Sequence, residues 1–128
     1  MPLEIQIQKD SSNPQAGPVT VKLTGSLDTA TAPELEKQLA PVLAENIKDL
    51  AFDLAQLQFI SSAGLRVFSM VRKQLKERGG QTGFVNMQPQ ISEVFAIMKS
   101  LSGVAVFKDL AEMDQYLAAR QRSHLEKP

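Results

Sequence analysis

Near the N-terminus apolar residues recur at every second position, and past residue 30 they recur at helical spacing instead. Leu3, Ile5 and Ile7 are set apart by Glu4 and Gln6, and Val19, Val21 and Leu23 by Thr20 and Lys22. A period of two sends one face of a segment to a core and the other to water, so both segments are read as half-buried strands. Residues 10–18, DSSNPQAGP, are rich in turn formers and join them as an antiparallel hairpin with a long loop. Then Leu35, Leu39, Val42 and Leu43 form a stripe at helical spacing. Ahead of it Thr31-Ala32-Pro33-Glu34 has the form of a capping box, with Thr31 as N-cap and Glu34 reaching back. Pro41 lies inside the stripe and predicts a kink or an early end.

From there strand and helix alternate. Leu50-Ala51-Phe52 reads as a short buried strand ending near Asp53. A second helix is expected from about Ala63 to Arg78, with Val67, Phe68, Val71 and Leu75 inward and Gly79-Gly80 at its end. Phe84 and Val85 mark another strand. Pro89 suits the first turn of a third helix that buries Ile91, Val94, Phe95 and Met98 and stops at Ser102-Gly103. Val104 to Phe107 reads as a further strand. Asp109 then caps a last helix with Glu112 in its first turn and Leu110, Met113, Tyr116 and Leu117 inward; the polar stretch after about Arg120 is expected to fray. The order β-β-α-β-α-β-α-β-α implies an α/β fold, a mixed sheet with helices packed against it. One domain spanning 1–128 is expected, with an ordered core of about 3–120.

Composition narrows the chemistry. The 128 residues carry 14 basic and 14 acidic side chains, so no whole-molecule field draws the chain to nucleic acid. No apolar run approaches the length of a membrane span, and Met1-Pro2-Leu3-Glu4 does not begin like a secretion signal; a cytoplasmic protein without membrane contact is expected. The absence of cysteine removes disulfides, thiolate metal sites and cysteine nucleophiles. His124 is the one histidine and falls in the polar tail, where it reads as a surface residue. A Ser-His-acid triad therefore lacks its base, and no Gly-x-Ser-x-Gly, phosphate loop or dinucleotide fingerprint is present. The reading is of a protein that is not an enzyme and needs neither metal nor cofactor.

Residues 53–67, DLAQLQFISSAGLRV, hold the chemistry-bearing segment. A strand ends, a short connection takes Leu57, Phe59 and Ile60 inward, and Ser61-Ser62 opens a helix. The free N–H groups and positive dipole end of a helix start accept a serine, a phosphoserine or an anion there. A serine in this position also serves as a plain cap. Arg66, Ser69, Lys73 and Lys76 follow Ser62 along one line of the helix, either a solvated basic face or a contact surface for a partner.

The segment Leu54-x-x-Leu57-x-Phe59-Ile60-Ser61-Ser62-Ala63-Gly64-Leu65 resembles the signature of the STAS domain of bacterial anti-sigma-factor antagonists. Leu23-Thr24-Gly25-Ser26-Leu27-Asp28 ahead of it, and Arg78-Gly79-Gly80 and Leu101-Ser102-Gly103 behind it, are similar to other family elements in the same order. The resemblance implies partner switching: the antagonist binds an anti-sigma factor or related serine kinase, the kinase phosphorylates it, and a phosphatase reverses the step. Aligning Gly64-Leu65 implies Ser62 as the phosphoacceptor. The family's Asp at the preceding position is replaced by Ser61, which stands as the second candidate. Asp28 matches an acidic residue near the acceptor in relatives, and by its own position is also a turn residue. The implied partner surface comprises Asp28, Ser61, Ser62, Gly64, Arg66, Ser69 and Lys73. Loss of the Asp keeps open a constitutive binding or scaffold module in which the serines only cap. On these grounds Ser62 is expected to be exposed at a helix N-terminus.

Overall fold

The computed structural model describes residues 2–9, 18–100 and 110–125. The alternating segments pair as their pattern requires: β1 (Leu3–Lys9) runs antiparallel to β2 (Val19–Leu27), with Ile5 opposite Leu23 and Ile7 opposite Val21. The chain continues as α1 (Ala32–Ala44), β3 (Asp49–Ile60), α2 (Ser62–Glu77), β4 (Gln81–Val85), α3 (Pro89–Ser100) and α4 (Leu110–Leu125). The strands order as β1-β2-β3-β4, with β2, β3 and β4 parallel, so the sheet is mixed as expected. Its apolar face, with Val21, Leu23, Phe52 and Leu54, shares one core with Leu35, Leu39, Val71, Leu75, Ile91 and Leu117 of the helices. Glu4, Gln6, Gln8 and Lys22, on the other phase of the alternation, remain exposed. The strand expected at Val104–Phe107, the helix end at Ser102-Gly103 and the Asp109 cap lie outside the described residues.

The β3 strand is longer than its pattern suggested. Instead of ending near Asp53 it continues to Ile60, and what read as a connection is strand with two register shifts against β2. Lys22 pairs with Asp53 but Thr24 with Gln56; Gly25 pairs with Leu57 but Ser26 with Phe59. Extra residues on one strand break strict alternation, so Leu54, Leu57 and Ile60 all point inward at intervals of three. The broken period is what resembled a strand end.

Several local expectations change in detail. Thr31 is the α1 N-cap, but its side chain makes no cap hydrogen bond. Its Oγ1 instead accepts from the Asp28 N–H at 2.9 Å and donates to the Ser26 carbonyl at 2.8 Å, while Glu34 accepts from Gln38. The helix passes Pro41 and ends at Ala44, so the proline sits in its last turn without stopping it early. Residue 78 links two helix ends. The Arg78 guanidinium donates to the carbonyls of Leu43, Glu45 and Ile47 at the exit of α1. The following Gly79 and Gly80 N–H groups close α2 on Lys76 and Leu75 at 3.0 and 2.7 Å.

The last helix departs most. α4 runs through Leu125, beyond the point where fraying was expected, and Tyr116 is 42 % exposed rather than inward. The inward line is Met113, Leu117, Gln121 and His124, with Leu117 and Gln121 buried and the two ends half-buried, a stripe that starts apolar and continues polar. His124 is not a loose surface residue: it meets Glu93 of α3, which also accepts from the Arg120 Nε at 2.7 Å. The Arg120 guanidinium and the His124 ring donate to Glu93 and hold its carboxyl below the usual carboxylate range.

Candidate functional site at the start of the second helix

β2 and β3 end side by side, and this places the serine segment. The Ser61 N–H donates to the Leu27 carbonyl at 2.9 Å, tying the start of α2 to the end of β2. The turn is tight enough that Gly64 has no room for a side chain: a Cβ there would lie 2.7 Å from Leu27 Cγ and 2.9 Å from Ile60 Cγ1. A similar demand acts upstream at Gly25, whose φ is +110° and whose Cβ would meet the Pro2 carbonyl oxygen at 2.1 Å. The glycines of both matching segments thus answer to close packing around one strand end. Asp28 lies just past Leu27. Its Oδ1 accepts from the Ala30 and Thr31 N–H groups, each at 3.0 Å, which is turn-forming work.

Ser61 is the N-cap of α2, in extended conformation with φ −105° and ψ 177°, and Ser62 is the first helical residue. The Ser61 side chain makes no cap bond; its hydroxyl is buried and has no hydrogen-bond partner among the described residues. The helix start is capped from elsewhere. Asp114 of α4 accepts from the Ser62 N–H at 2.7 Å through Oδ1 and from the Ser62 hydroxyl at 2.9 Å through Oδ2. A carboxylate at this end of a helix is favoured by the dipole and by the unpaired N–H groups. Farther along α4, the Gln121 amide spans the last residue of β3, accepting from the Ile60 N–H at 2.8 Å and donating to its carbonyl at 2.7 Å.

Ser62 is therefore at a helix start, as the sequence reading requires, but it is not exposed. Only 7 % of its surface is accessible, and Ser61 retains 5 %. The physical reason is α4, which lays Asp114 over the serine. Asp28, Ser61, Ser62 and Gly64 gather at the junction of β2, β3 and α2. Arg66, Ser69 and Lys73 extend away from it along α2 and are exposed. Asp114 and Gln121 were not singled out from the sequence. Gln121 leaves one trace, the polar continuation of an otherwise apolar stripe; Asp114 lies off that stripe, and nothing points either residue to partners 61 and 52 positions upstream.

The sequence profile of the STAS domain matches residues 5–113, most of the chain. The chain belongs to the STAS-domain family. BtrV of Bordetella bronchiseptica, named as a candidate anti-sigma factor antagonist, is 39 % identical over 80 residues, covering 62 % of this chain and 69 % of that one. The anti-sigma-B factor antagonist of Bacillus subtilis is 33 % identical over 79 residues, covering 62 % and 72 %. Among solved structures, the Bacillus cell fate determinant SpoIIAA in its phosphorylated form aligns over 79 % of this chain and 85 % of its own, with a TM-score of 0.61 at 19 % identity. That last likeness establishes the fold: this STAS domain has the same arrangement of sheet and helices. Among the described residues no helix is long and apolar enough to cross a membrane, and no cluster of side chains suits a metal ion.

Proposed function

We propose that this STAS domain is a cytoplasmic partner-switching antagonist of an anti-sigma factor or related serine kinase, controlled by reversible phosphorylation of Ser62. The observation that carries the reading is the position of Ser62 as the first residue of α2, directly after the β3 end, in the segment that resembles the family signature. The names of the curated relatives support an antagonist role, and the existence of SpoIIAA in a phosphorylated form supports control by phosphorylation. A phosphate adds about −1.5 to −2 charge. The start of α2 tolerates that charge, so modification acts on partner binding and leaves the domain folded. Arg66, Ser69 and Lys73, exposed along α2, supply the adjoining contact surface together with the half-buried Asp28, while Gly64 is buried and serves the packing beneath it. A phosphatase resets the switch.

Incubation with the cognate kinase and ATP, followed by mass spectrometric mapping, tests the assignment. Phosphate is expected on Ser62 and absent from Ser62→Ala, which should still bind the kinase. Phosphate on Ser61 instead would move the acceptor by one residue. Complete absence of phosphate, with binding intact, would favour the second reading, a constitutive binding module. A specific observation speaks for that reading: the Ser62 hydroxyl is nearly covered and engaged with Asp114.

A further inference from the structure

Ser62 is buried under a polar contact from α4. Asp114 occupies the anion position at the start of α2, where oxygens of a phosphate on Ser62 would also be drawn. Gln121 fastens the same helix to Ile60, and Leu117 between them is fully buried. We propose that α4 is a latch over Ser62, closed by Asp114 and held open by phosphate on the serine. This rests on the reading of Ser62 as the acceptor.

Two physical consequences make the latch a switch. While it is closed, the hydroxyl donates to Asp114 and has almost no free surface, so it cannot approach a nucleoside triphosphate. α4 must lift before Ser62 Oγ, giving its proton to a base, forms a bond to the γ-phosphorus as the bond to the nucleoside diphosphate breaks. Once phosphate is in place, its charge and the Asp114 carboxylate compete for one helix start at hydrogen-bond range, and like charges that close repel strongly. Beside Ser62 the Ser61 hydroxyl is buried without a partner among the described residues. Closed and open forms are thus the two states that phosphorylation redistributes.

Hydrogen–deuterium exchange of the whole chain tests the latch without any kinase, with α1 as internal reference. Ser62→Asp is expected to raise exchange across α4 by about tenfold or more while α1 stays unchanged. Combining it with Asp114→Asn should return α4 to within about threefold of the unmodified chain, since the amide can bond the new carboxylate without repelling it. Asp114→Ala, which leaves Ser62 in place, should also loosen α4, and should speed phosphorylation by the cognate kinase. If Ser62→Asp leaves α4 exchange unchanged, or if Asp114→Asn fails to suppress its effect, the latch is wrong. Should Ser62→Asp loosen α1 as well, Asp114→Ala decides: unchanged α4 exchange in that variant overturns the proposal. A chain that shows the suppression but that no kinase modifies would refute the phosphoacceptor reading, and with it opening by phosphate, while closure by Asp114 stands.

Discussion

At Gly64 a single hydrogen atom permits the approach of α2 to the ends of β2 and β3. Gly64→Ala would place a methyl carbon within 3 Å of both Leu27 and Ile60, and the helix start would have to move outward. The expected loss is about 1–3 kcal/mol of stability, despite the better helix propensity of alanine, and chemical denaturation measures it. Such a shift would also displace Ser62 from Asp114, so the variant should show faster exchange in α4 than its global stability explains. Ser62 contrasts with Gly64, because its role lies in a removable contact rather than in its volume. Its hydroxyl contributes one hydrogen bond to a carboxylate that its own backbone N–H already engages. Ser62→Ala should therefore cost about 1.5–3 kcal/mol by thermal or chemical unfolding, the range of a hydrogen bond to a charged group.

Among the elements, α4 is held by polar side chains as much as by apolar burial. Gln121→Leu keeps bulk beneath the helix but strips both backbone groups of Ile60 of their partner, at a cost of about 1–3 kcal/mol for each buried group left unsatisfied. Amide exchange at Ile60 should rise sharply in that variant. The junction of α3 and α4 is sensitive to acid. Glu93 has its pKa lowered by the hydrogen bond from Arg120 and then by that from His124, so the folded state favours its ionised form. A carboxyl depressed on folding contributes stability above its ordinary pKa and loses it as pH falls through the lowered folded value. Docking of α4 should consequently weaken on acidification below the ordinary carboxylate range. Glu93→Gln should be less tightly docked at neutral pH and should flatten that dependence. NMR of α4 amides across a pH titration reads both effects.

On the scale of the whole molecule, one aromatic group ties sheet to helices. Phe52 of β3 lies 4.6 Å from Phe68 of α2 and 5.6 Å from Phe84 of β4, ring centre to ring centre, and Phe84 continues to Phe95 of α3 at 5.0 Å. Phe52 is fully buried, and the chain has no tryptophan to share the load. Phe52→Ala should cost about 3–5 kcal/mol, a large part of the roughly 5–15 kcal/mol typical of a domain. A matching fall in the denaturation midpoint, with a cooperative transition, is the expected result. The aromatic cluster thus joins β3 and β4 to α2 and α3, within a core that α1 also lines with Leu35, Leu39, Val42 and Leu43. α4 joins the same core through Leu117, which is fully buried.

What the sequence determined by itself was whatever depends on near neighbours along the chain. Alternation at Leu3–Ile7 and Val19–Leu23 settles the hairpin. Helical stripes at Leu35–Leu43 and Val67–Leu75 settle two helices, and Gly79-Gly80 marks where the second one ends. The serine segment could be recognised for the same reason, since its residues are contiguous. Two bulges hid the full length of β3, because an inserted residue turns alternation into what looks like an end. The state of Ser62 was decided only by tertiary structure. Its cap and its cover come from Asp114, 52 positions away, and the strand beneath it is fastened by Gln121, 61 positions away. Hydrogen bonds between such residues follow no periodicity; they exist because packing of α4 against the core brings polar groups to a strand end and a helix start that would otherwise be buried without partners.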